Sequence, residues 1–90
     1  MKVVWTREAQ GDVHAAFEFT SLDKPDAAER VVARLTEAGE KLAATPYWGR
    51  SRGSVRQREV VVPGLPYLLL YELTEDAVVI QRVMHAARRR

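Results

Sequence analysis

Ninety residues without a cysteine leave room for one domain, residues 1–90, which buries about 60–65% of its unfolded surface and has neither disulfides nor thiolate metal sites to support it. The formal charge of +2 conceals an asymmetry: residues 1–49 carry six Lys/Arg against eight Asp/Glu, and residues 50–90 carry eight arginines against four Asp/Glu. No apolar run approaches the ~20 residues of a membrane span, and residues 1–5 lead at once into Thr6, Arg7 and Glu8 without a secretory apolar core, so a soluble, cytoplasmic protein with no membrane partner is expected.

Lys2, Val3, Val4 and Trp5 form a short apolar run that reads as a first strand. Thr6 is placed to cap a helix in which Ala9, Val13, Ala16, Phe17 and Thr20 recur at helical spacing, with Glu8, Asp12 and Glu18 facing away and Gly11 as a weak point. The helix is expected to run to about Ser21. Pro25 then suits the first position of a second helix, because its missing N–H is one of the amides left unpaired there in any case. Ala28, Val31, Val32, Leu35, Ala38 and Leu42 give that helix an apolar stripe, and Pro46 ends it. Two amphipathic helices joined by a few residues predict an antiparallel hairpin. Residues 47–54, with Gly49 and Gly53, read as a loop.

The second half is a meander. Val60, Val61 and Val62 are a β-branched run, the sequence Pro63, Gly64, Leu65, Pro66 cannot continue a strand, and residues 67–73 resume one. After Thr74, Glu75 and Asp76, residues 77–84 form a third strand. Tyr67, Leu68, Leu69, Leu70 and Tyr71 are apolar on both faces, so the middle strand should lie inside the sheet with cover on each side, the helical hairpin being one cover. The predicted fold is therefore α+β, in the order β-α-α-β-β-β, with a helical hairpin packed on one face of an antiparallel sheet.

Arg50, Arg52, Arg56 and Arg58 lead into the meander, and Arg82, Arg88, Arg89 and Arg90 close it. The fold is expected to bring the two groups together at one face or edge, where planar guanidinium forks suit phosphate or carboxylate. The plainer reading is a solvated arginine-rich surface. Tyr67 and Tyr71 share one side of their strand, where core aromatics are commoner than reactive ones, and Arg58 and Glu59 point to opposite faces. Arg82 is expected to pair with Glu59 or Glu72 across the sheet. Trp5 and Trp48 read as packing residues, with Trp48, beside Arg50, also a candidate partner anchor. With His85 at a strand end and His14 on the first helix, neither a metal site nor a cofactor is indicated.

Nearly the whole chain resembles the RelE/ParE superfamily of toxins from type II toxin–antitoxin pairs, and it lies closer to the ParE branch. The resemblance is carried by Trp5, Thr6, Ala9 and Asp12; by Pro46, Gly49 and Arg50; by the run from Arg58 through Gly64 with residues 67–71; and by residues 82–88. It implies the β-α-α-β-β-β fold and a cognate antitoxin whose C-terminal segment folds onto the toxin in a hetero-oligomer, pairing its acids with toxin arginines. Trp48, Arg50, Arg52, Arg58, Arg82 and Arg88 are the expected partner-binding residues.

The resemblance implies one of two targets. A ParE-like member inhibits DNA gyrase; a RelE-like member cuts mRNA on the ribosome, which needs proton carriers and cations around one phosphate. For the latter the candidates are Arg58, Tyr71, Arg82, His85 and Arg88, with Glu59 as a possible base. Lysine occurs only at Lys2, Lys24 and Lys41, all before the meander, and five residues follow His85. Both features favour the gyrase reading, with the mRNA endonuclease as alternative and a non-toxic antitoxin-binding partner as second alternative.

Overall fold

A computed structural model describes residues 1–88. The chain runs β1 (Lys2–Trp5), α1 (Arg7–Asp23), α2 (Pro25–Ala44), β2 (Arg50–Ser51), β3 (Gln57–Val61), β4 (Tyr67–Leu73), β5 (Ala77–His85) and a closing 3₁₀ turn, Ala86–Arg88. Thr6 caps α1, its hydroxyl oxygen accepting from the Ala9 amide at 3.1 Å. The same hydroxyl donates to the Gln81 carbonyl at 2.9 Å, which ties the helix start to β5. Lys24 alone separates the two helices, and Pro25 occupies the first turn of α2.

The sheet order is β1-β5-β4-β3-β2. β3, β4 and β5 form the antiparallel meander read from the sequence, and β4 is the central strand. Two features extend the expected sheet. β1 lies parallel to β5, Lys2 beside Ala77 and Trp5 beside Ile80, because the helical hairpin and the meander return the chain to the flank of β1 in the same direction. β2 is a two-residue edge strand on β3 whose polar residues, Arg50 and Ser51, carry no strand signal. The sheet is thus mixed, antiparallel except at β1.

One core joins the layers. Ala9 and Ala16 of α1 and Val31, Leu35, Ala38 and Leu42 of α2 meet Val60, Val62, Leu69, Tyr71, Leu73, Val78, Ile80 and Val83. Ile80 and Val83 both reach it although three residues separate them, because the pairing of β4 with β5 shifts between Leu70 and Tyr71 and leaves Gln81 as an extra residue. A bulge of this kind reverses the alternation of faces beyond it. On α2, Gly39 is a packing requirement: a Cβ there would sit 2.6 Å from the Trp5 ring. Both helices pack on this one face. Leu68, in register with Val61 and Met84 on the opposite face, is buried outside the main core, whereas Val61 is 59% exposed. The second cover expected over the middle strand is not found among the described residues.

Candidate functional site

The candidate residues fall into two groups on opposite sides of β4. Leu70 marks the division, with Glu59 of β3 as its partner on one side and Arg82 of β5 on the other. The expectation that the fold gathers the arginines at one place is therefore corrected. Arg50, Arg52, Arg56 and Arg58 cluster at the β2/β3 edge, and Arg82 lies across the sheet beside α1. Arg88 ends the closing turn, and Arg89 and Arg90 lie outside the described residues.

At the β2/β3 edge the chain is built around Gly49. Its buried amide donates to the Tyr71 hydroxyl at 2.9 Å, and that hydroxyl donates to the Pro46 carbonyl at 2.8 Å. The Gly49 carbonyl accepts from Arg58 Nη2 at 2.7 Å and Nε at 3.2 Å, while Arg58 Nη1 donates to the Val55 carbonyl at 2.8 Å. No side chain fits at Gly49, since a Cβ would run into the Glu59 carbonyl and come within 2.6 Å of the Tyr71 hydroxyl. Tyr71 and Arg58, proposed from sequence as groups for phosphate chemistry, thus hold the loop that carries Trp48 and Arg50. Tyr71 is fully buried.

Glu59 points to the opposite face from Arg58, as the alternation requires. Its side chain is only 4% exposed and forms ion pairs with Arg50 and Arg52, each at 3.0 Å. Arg50 directs both Nε and Nη2 at one carboxylate oxygen. A buried carboxylate between two guanidiniums is held ionised by its partners. Two cation–aromatic contacts complete this edge: the Arg58 guanidinium lies 5.1 Å from the Tyr47 ring centre and Lys41 Nζ 4.0 Å from that of Trp48. Arg56 donates to the Leu73 carbonyl at 3.1 Å.

Across the sheet, Asp12 is the organising group. Its carboxylate accepts from Arg82 Nε at 2.8 Å and Nη2 at 3.0 Å, and from the Val83 amide at 2.8 Å. β1 ends beside Ile80, so the outward amides of β5 beyond that point need another partner, and α1 supplies it. The expected pairing of Arg82 with Glu59 or Glu72 is corrected for this reason. The hydrogen bonds from Asp12, reinforced by its negative charge, raise the Arg82 pKa above its ordinary value. Next to the pair lies an open groove of about 490 Å³, lined in part by Ala16, Phe19, Tyr67, Val83 and His85. His85 meets the Tyr67 ring edge-on at 5.5 Å, and its Nδ1 accepts from the Ala87 amide at 3.2 Å, an arrangement that leaves the proton on Nε2.

This fold and these motifs have known counterparts. The family profile described as "ParE toxin of type II toxin-antitoxin system, parDE" matches residues 3–90. The chain belongs to the ParE toxin family. This ParE-family chain is similar to "Toxin RelE2" of Caulobacter vibrioides, 38% identical over 87 residues that cover 97% of each chain. It is equally similar to "Putative toxin Y4kP" of Sinorhizobium fredii, 38% identical over 85 residues covering 94% of this chain and 88% of that protein. In fold, this ParE-family chain matches a solved structure described as "Chromosomal ParDE TA system from P. aeruginosa", with a TM-score of 0.83 at 22% identity, covering 94% of this chain and 95% of that one.

Sequence reasoning missed Asp12 as the tie between α1 and β5, giving it only a place on the solvent side of the helix. It also missed Gly39 as the seat of Trp5. A signal existed for the first, since Asp12 lies within the stretch that carries the family resemblance. Among the described residues, no helix is long and apolar enough to cross a membrane.

Proposed function

We propose that this ParE-family toxin works in the cytoplasm as one unit with a cognate antitoxin, whose C-terminal segment neutralises it in a hetero-oligomer, and that it arrests growth by inhibiting DNA gyrase without cutting mRNA. The observation that carries this reading is the dispersal of the nuclease candidates. Tyr71 is buried with its hydroxyl bonded to Pro46 and Gly49, Arg58 is bonded to Gly49 and Val55, and Glu59 is paired on the other face. His85 and Arg82 lie beyond β4. Cutting RNA by 2′-OH attack needs a proton carrier and cations converging on one phosphate, and these five groups do not converge.

One observation favours the endonuclease reading: a relative at 38% identity bears the name Toxin RelE2. The deciding experiment runs purified chain with gyrase and relaxed plasmid beside the chain with translating ribosomes and a defined mRNA. Lost supercoiling with intact message supports the gyrase reading. Message cut on the ribosome with normal supercoiling overturns it, and neither effect leaves the non-toxic, antitoxin-binding alternative.

A further inference from the structure

The β2/β3 edge and the end of α2 combine features that the gyrase reading does not use. Residues 41–59 carry five cations, Lys41, Arg50, Arg52, Arg56 and Arg58, against the single acid Glu59, which is buried. Among them stand two adjacent aromatic rings. Tyr47 is 65% exposed with the Arg58 guanidinium against its ring, and Trp48 has Lys41 over its ring. Both rings are carried by the loop that Tyr71 and Arg58 lock through Gly49. The arginine forks are also pre-set: Arg50 and Arg52 share the Glu59 carboxylate while their side chains remain 69% and 41% exposed. One carboxylate serving two guanidiniums leaves a net positive charge and unused outward N–H donors.

We propose that this edge is a binding face for single-stranded nucleic acid, with one unstacked base on Tyr47 and the flanking phosphates on Arg50, Arg52 and Arg56. Stacking on an exposed aromatic ring beside a cationic track is how sequence-tolerant single-strand binding works. A duplex keeps its bases stacked internally and offers no free base to the ring. An acidic peptide would use the charges and gain nothing from an open Tyr47 face. Because ring and forks are already held, little ordering remains to be done on binding. The inference is independent of the gyrase reading, which concerns inhibition of an enzyme.

The test is fluorescence anisotropy of a labelled short oligo(dT) and oligo(rU) with the full chain. Binding is expected to weaken with salt, with a log–log slope of about −2 for three phosphates. Tyr47→Ala should weaken it roughly 5- to 100-fold while Tyr47→Phe keeps it within about 2-fold. Arg50→Gln should reduce the slope by about 0.7. Tyr47 is an exposed ring, so its two variants carry the test even where Arg50→Gln disturbs folding. Equal affinity for the matching duplex, equal displacement by an oligoglutamate of the same charge, an unchanged Tyr47→Ala variant, or no binding at low salt would each overturn the proposal.

Discussion

Tyr71→Phe removes one oxygen atom from a fully buried side chain and keeps the ring that fills the core. The Gly49 amide and the Pro46 carbonyl lose their partner, having been bonded at 2.9 and 2.8 Å. Each lost hydrogen bond costs about 1–1.5 kcal/mol net, and a stranded buried amide raises its share towards ~3 kcal/mol, so the expected loss is about 2–4 kcal/mol. For a domain of this size, each kcal/mol moves the melting temperature by roughly 4–8 °C, giving a fall of about 10–25 °C. Urea unfolding followed by circular dichroism measures the change as a lower midpoint at unchanged slope. A loss below ~0.5 kcal/mol would show that the hydroxyl does not hold the Gly49 loop. Lost toxicity at unchanged stability would return Tyr71 to the list of reacting groups.

Asp12→Asn weakens the bonds to Arg82 and the Val83 amide while keeping the shape; urea unfolding should report a loss of about 1–3 kcal/mol, discounted for the half-exposed Arg82. Gly11→Ala should stabilise the protein by about 0.5–1 kcal/mol, because a Cβ there meets nothing within 4 Å and the helix gains a better former, a change seen as a higher melting temperature. Gly39→Val should cost at least ~2 kcal/mol, since Trp5 must leave its seat on α2, and tryptophan fluorescence should shift with it. An unshifted spectrum at full stability would remove Gly39 from the packing account.

The regular parts of the fold were legible because each rests on a local period. The three- and four-residue spacing of Val31, Leu35, Ala38 and Leu42 gave α2, Thr6 and Pro25 marked helix starts, and the branched runs around the break at Pro63 and Gly64 gave the meander. What stayed hidden depends on pairs distant in the chain. Nothing near Arg50 and Ser51 signals a strand until Glu59 and Arg58 lie beside them. The direction of β1 is set by β5, more than seventy positions later. The site was read less well for the same reason. Arginine counts show charge but not the side of β4 on which it falls, and the extra residue at Gln81, with β1 ending at Ile80, gave Arg82 to Asp12 instead of to the β3 or β4 acids.

The central claim, that this toxin acts by binding and not by moving protons at a phosphate, is tested most directly by growth arrest on induction of His85→Gln. The glutamine carbonyl can still accept from the Ala87 amide, which His85 Nδ1 does now, while the side chain no longer exchanges a proton near neutrality. The account predicts arrest within a few-fold of wild type at equal protein level. Loss of a general acid or base lowers rates by about 10²–10⁴, so a His85→Gln strain that grows freely with folded protein present would contradict it.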